Sequence, residues 1–176
     1  ELGEREAGLV AAQRGEFVDA RREFEAAFHG AGAVAADNLA LEAAQWLCFL
    51  VGWEMGEPEV GLAWGRVAEM LLARMHVVPL DRRRAALDAD IGVVLMRKDE
   101  NEAALGRLQR SLATYEQIVG PDDPQIVTVI NNLASAHFQR GDYEASLVMF
   151  ERQRASEAKT LGPESVSVAL TRGNIA

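Results

Sequence analysis

Along residues 101–119 the apolar positions Ala104, Leu105, Leu108, Leu112, Tyr115 and Val119 recur at steps of three and four. That period lays them on one stripe of a helix. Asn132, Leu133, Ala136, His137 and Arg140 keep the same step on a later segment, and Gln139-Arg-Gly-Asp142 interrupts the run at a glycine. Two helices joined by a short turn are predicted there. The opposite junction reads as a closed helix end followed by a capped start. Gly120-Pro121 and Gly162-Pro163 end the helix before, while Asp81, Asp123 and Ser165 stand where an N-cap side chain accepts from free backbone N–H groups. Pro124, after Asp123, suits the first helical position. No alternating strand pattern occurs, so the chain is expected to be all-α.

The pattern returns at a fixed spacing. Gly120 to Ala134 aligns without a gap on Gly162 to Ala176, an offset of 42 residues, with the Gly-Pro pair, an acidic residue, one Asn and the final Ala in common. Earlier steps place Gly8, Leu50, Gly92, Ala134 and Ala176 in one small or apolar column. Gly15-Glu-Phe17 matches Gly141-Asp-Tyr143, whereas Gly56-Glu57 arrives one residue early and marks a slip in the second repeat. A single hairpin cannot bury its own apolar stripe. Stacking identical hairpins does, so such a period predicts an array in which each unit rests on its neighbours. Repeats are expected at about 1–33, 34–77, 78–119 and 120–161, with a partial one at 162–176. The chain starts at Glu1 without methionine and stops at Ala176 inside a helical pattern, so it is expected to be a piece of a longer protein.

Several positions carry a resemblance. Gly8, Gly15, Ala20, Phe24 and Ala27 resemble the small and aromatic signature of tetratricopeptide repeats. Asn131-Asn-Leu-Ala134, Gly141-Asp-Tyr-Glu144 and Gly120-Pro-Asp-Asp-Pro124 resemble the longer variant of kinesin light chains, also common in large bacterial signalling proteins. Trp46 to Trp53, followed by Trp64-Gly-Arg-Val-Ala68, is similar to arrays attached to bacterial serine/threonine kinases. The resemblance implies a right-handed superhelical solenoid of antiparallel helix pairs. It also implies a non-catalytic scaffold that holds a protein or peptide on its concave face. Carried over position by position, that face comprises Glu54, then Asp90, Val93, Met96 and Arg97, then Thr128, Asn131, Asn132, Ser135, Phe138 and Gln139, and finally Asn174. Ser146 and Gln153 depart from the Ala the family prefers, and Gly61 and Gly65 are expected to weaken their helix.

An Asn side chain both donates and accepts, so it can grip any peptide backbone. For Asn131 this role and an internal bond weigh evenly; for Asn132, nearer the core stripe, the internal bond is favoured. Met96 and Phe138 either contact a partner or pack against the adjacent repeat. Self-association through the array ends, or a sensor of a small ligand or peptide controlling a linked kinase, are the alternatives to a scaffold.

Composition narrows the partners. The net charge of −9 and pI of about 4.9 repel phosphate backbones and anionic membranes. Neither nucleic acid nor membrane is expected, and no apolar run suffices for a spanning helix. Cys48 lies in an apolar run and is expected in the core, compatible with a reducing, cytoplasmic setting. Trp46, Trp53 and Trp64 are likewise expected in the core. His29, His76 and His137 lack ligand spacing, His137 falling in an aromatic column suited to packing. Asp122-Asp123 is explained by capping, and Asp81-Arg-Arg-Arg84 reads as a charged helix start. No phosphate loop, paired acids or nucleophile constellation stands out, so no cofactor, metal or reaction is expected.

Overall fold

The computed structural model describes residues 2–121, 123 and 125–175. The described residues form α1 (Leu2–Gln13), α2 (Phe17–Ala33), α3 (Asp37–Phe49), α4 (Pro58–Arg74), α5 (Arg82–Arg97), α6 (Asn101–Val119), α7 (Gln125–Arg140), α8 (Tyr143–Leu161) and α9 (Val166–Ile175), with no strand among them. A π turn, Leu50–Glu54, prolongs α3. Asp122, Pro124 and Ala176 lie outside the described residues, so the expected helix-opening proline and the last residue of the small column do too.

Each helix packs on the next in the chain. In addition α5 packs on both α3 and α7, whereas α4 makes no comparable contact with α2 or α6 among the described residues. The first helices of the pairs therefore form the tighter layer, and the array curves with that layer inside.

Among the described residues, eight in the left-handed region set the turns. Within hairpins they are Gly15, Gly56, Asp99 and Gly141; between hairpins they are Ala35, His76, Gly120 and Gly162. The caps follow the sequence. The Asp81 carboxylate accepts from the Arg83 N–H at 2.8 Å, and the Ser165 hydroxyl accepts from the Val168 N–H at 3.4 Å. The slip before Gly56 has a structural counterpart: the Met55 N–H reaches back five residues to the Leu50 carbonyl at 2.9 Å, widening the helix at this point.

One core runs from Ala31 to Ala136, and a smaller one gathers Phe24, Leu47, Leu50 and Val51. The small column explains itself: a β-carbon on Gly8 would stand 2.9 Å from the Phe24 ring, and one on Gly92 would stand 2.7 Å from Leu108 Cγ. In the second pair the order inverts. Leu50 occupies the column at the start of the π turn, and Gly65 on α4 makes the room, its absent β-carbon leaving space for Ile91 and Cys48 Sγ. Gly61 and Gly65 thus permit close packing, which corrects the view that they only weaken α4. Cys48 is fully buried, and burial pushes its thiol well up.

The two departures from Ala are also accounted for. The Ser146 hydroxyl donates to the Ala134 carbonyl at 2.8 Å, joining the two helices of a pair. Gln153 donates to Glu157 at 2.9 Å, beside a bond from the Thr171 hydroxyl to the same carboxylate at 2.7 Å.

Candidate functional site: the concave groove

Helix α3 is apolar on two sides. Leu41, Ala44, Leu47 and Cys48 face the core, while Glu42, Gln45, Trp46 and Phe49 follow each other at three- and four-residue steps on the inner side. Together with Ala86, Ala89, Asp90 and Val93 of α5, and Thr128, Val129 and Asn132 of α7, they wall a groove of about 460 Å³, with Tyr115 of α6 reaching in. A second, more apolar hollow of about 210 Å³ adjoins it, lined by Leu9, Ala12, Gln13 and Phe17 on one side and Trp46, Phe49, Leu50 and Glu54 on the other. Trp46 and Phe49 stand between the two. A third hollow lies between the last hairpins, bordered by Thr128, Asn131, Gln153, Glu157, Leu170 and Asn174.

Trp46 stacks on the buried Phe24 with ring planes 2° apart and centroids 5.7 Å apart, yet keeps 40% of its surface exposed. It is a groove wall, a correction to its expected place in the core. Trp64 does pack against the core, edge-on to Phe28. Trp53 carries the Arg97 guanidinium over its face at 5.3 Å, a cation–π contact that holds Arg97 at the hairpin tip.

The polar floor is Asp90. Gln45 Nε2 donates to its carboxylate at 2.9 Å, and none of the ion pairs among the described residues involves it. Burial pushes the Asp90 carboxyl up to about 7, the Gln45 bond pulling the other way. Burial also raises Tyr115, and the nearby Asp90 carboxylate adds to the effect.

The residues carried over by resemblance separate into groups. Asp90, Val93, Thr128 and Asn132 share the main groove, so Asn132 borders open space where an internal bond had been favoured. Glu54 is exposed at the edge of the apolar hollow, and Asn131 and Asn174 face the third. Met96, 4% exposed, is in the core rather than on the groove, the expected contact being ruled out by burial. Ser135 donates to the Asn131 carbonyl within α7. Phe138 is exposed and edge-on to Tyr143 at 5.3 Å, next to exposed Gln139 at the end of α7. His137 is mostly covered, its Nδ1 3.4 Å from Asp142. Gln45, Trp46, Phe49 and Tyr115 were missed. The signal for Trp46 and Phe49 was a second apolar side on α3, which Gln45 flanks.

The tetratricopeptide repeat family matches residues 83–155. The solved structure of BtubC (BKLC) from P. vanneervenii is similar over 96% of this chain and 67% of its own, at TM-score 0.81 and 18% identity. A putative kinesin light chain from Podosopora anserina with nearly identical TPR-like repeats is similar over 98% of this chain and 82% of its own, at TM-score 0.80 and 15% identity. A crystal structure of a singly substituted form of that protein gives 0.81 and 16%. Among curated proteins, none matches in sequence. At these identities the structural likeness is one of fold. The chain has the fold of a tetratricopeptide repeat solenoid, a right-handed superhelix of helix pairs like those of the kinesin-light-chain-like structures, and its residues 83–155 match the repeat family in sequence. Repeats of this family generally act as protein-interaction scaffolds and are generally non-catalytic.

Proposed function

We propose that the chain is a peptide-binding scaffold whose partner lies along the concave groove between α3, α5 and α7. The observation that carries this reading is the exposed wall of Trp46 and Phe49, facing Thr128 and Asn132 across the groove. An aromatic surface left open on an inner face is costly unless something covers it, and the polar residues opposite can bond a backbone of any sequence. The finer setting rests on the segment Trp46 to Trp53, which resembles arrays of bacterial kinases: a cytoplasmic signalling protein in which the array brings a partner to a linked catalytic domain. Substitution of Thr128→Arg with Asn132→Arg fills the groove from partly exposed positions without entering the core. Peptides selected on the unaltered chain are expected to lose binding to this variant and to keep it on Phe138→Ala. Equal binding by all three proteins would remove the groove from the account.

A second reading, self-association, is favoured by Val166 and Leu170 of α9, exposed at 77% and 68%. Light scattering separates the two. A concentration-dependent dimer that Leu170→Glu abolishes supports self-association, and a monomer throughout leaves the groove as the working surface.

A further inference from the structure

Resting on the groove reading, we infer that its occupant is a peptide that places an arginine or lysine side chain against Asp90 and Glu42, over the face of Trp46, with a neighbouring aliphatic residue in the hollow beside Leu9, Phe17 and Leu50. The occupant is thus basic and amphipathic.

The groove holds an acid that no cation of the chain pairs among the described residues. Asp90 sits on its floor with an uncharged donor, Gln45, and no cation paired to it among the described residues. The other carboxylate closest to the mouth, Glu42, takes Arg5 at 2.5 Å from α1, a contact whose partners keep 29% and 46% of their side-chain surface. On the other side of α5 the buried Asp88 is neutralised by the chain's own arginines, accepting from Arg107 at 2.9 Å and Arg110 at 3.0 Å. Asp88 and Asp90 are two residues apart on α5, so they point to different sides of the helix. The outward acid has two guanidinium partners, and the inward one has none among the described residues. A ligand cation is what completes the second.

Trp46 adds a preference for a cation over a neutral polar group. Its ring lies on Phe24 and its exposed part borders both hollows, which suits a flat guanidinium or an ammonium laid on the indole. The adjoining hollow is almost wholly apolar and ends at Glu54. It takes an aliphatic side chain, with the chain's acidic balance favouring a basic partner throughout.

The groups facing Asp90 set the pH behaviour. Helix α3 brings Glu42, Gln45 and the buried Cys48; α6 brings Tyr115; α7 brings Thr128 and Asn132, which do not titrate; Arg82, on Asp90's own helix, acts on Tyr115. Burial pushes the Asp90 carboxyl up to about 7, and a cation binds its charged form.

The test is a positional-scanning array of capped synthetic peptides probed with the 176-residue chain. Selection of Arg or Lys at one position, with an aliphatic residue close by, is expected. The best peptide is then titrated against Asp90→Asn, which keeps shape and the Gln45 contact. Affinity is expected to fall about tenfold or more in the variant, a fold-change of the size that follows from removing one charge pair. It is also expected to fall by up to about tenfold per pH unit below the Asp90 ionisation in the unaltered chain and not in the variant. Asp90→Asn relieves a buried charge and so folds, its melting temperature serving as the check. Selection of acidic or uncharged peptides, or equal affinity in the variant, overturns this inference while leaving the scaffold reading intact. No binding by any peptide overturns both.

Discussion

Gly61 of α4 rests directly on Gly52 of the π turn, backbone against backbone. A β-carbon on Gly61 would come within 2.7 Å of the Cys48 carbonyl, and one on Gly52 would meet the Val94 methyls at 2.6 Å. The two helices cross where neither has a side chain. Alanine ordinarily stabilises a helix interior relative to glycine, and here the close approach decides the sign instead. Gly61→Ala is expected to destabilise by about 2 kcal/mol through overpacking. Gly106, inside α6 with nothing near its missing β-carbon, is the matched control. Gly106→Ala is expected to stabilise by about 0.5–1 kcal/mol. Urea unfolding of the two variants reads the difference, and a destabilised Gly106→Ala would contradict the account.

The turns make a second prediction. Ala35, His76 and Asp99 hold φ of 55°, 53° and 58°, the left-handed region occupied by glycine at the other turns. An L-residue with a β-carbon is strained there. Ala35→Gly is therefore expected to raise the melting temperature, gaining about 1 kcal/mol, and Gly141→Ala, at φ 87°, to lower it by a similar amount. A thermal melt of each variant checks the pair of signs.

These residues also show what could be read before any coordinates. The hairpin period was legible because an oily stripe, a glycine turn and an acidic cap recur together, and each has its own physical cause. Gly141 and Gly120 announce their turns; Ala35 and His76 do not, since the constraint of a tight connection overrides the preference of the residue. The groove was less legible. On α3 the apolar residues surround more than half the helix, and periodicity cannot say which stripe meets the core and which stays open. Trp46 was assigned inward for that reason. For Met96 the position in the repeat leaves partner contact and packing both open, and its burial decides for packing. The π turn at Leu50–Glu54 shifts the register of the second hairpin, and only an early glycine at 56 hinted at it.

Asp90 links stability to pH. Its folded carboxyl titrates at about 7, well above the usual carboxylate value, because burial disfavours the charge. Between the two values the folded chain holds a proton that the unfolded chain has lost. Unfolding free energy therefore falls as pH rises through this window, the contribution being complete below about pH 4 and lost above about pH 7. Asp90→Asn removes the dependence. It is expected to stabilise by about 1–3 kcal/mol at pH near 8, after allowance for the solvent that reaches the groove, and to be neutral near pH 4. Urea midpoints at the two pH values decide it.

The attachment of α9 rests on Glu157 of α8, which is 3% exposed. Burial alone would raise its carboxyl, but hydrogen bonds from Gln153, Ser167 and Thr171 outweigh that and leave it below the usual glutamate range. The Thr171 bond, at 2.7 Å and with both groups buried, joins the two helices beside the bond from Ser167 of the same helix. Thr171→Val keeps the shape and removes the donor, leaving a carboxylate oxygen short of a partner. It is expected to cost about 1–3 kcal/mol, concentrated in α9. Because the folded carboxyl is depressed, its contribution is present above the unfolded glutamate value of about 4.3 and is lost as pH falls through the lower folded value. Hydrogen exchange reads both effects: α9 amides are expected to lose protection in Thr171→Val at neutral pH, while those of α5 and α6 keep theirs. Unchanged exchange in α9 would mean that Val168, buried beside it, holds the helix without the polar link.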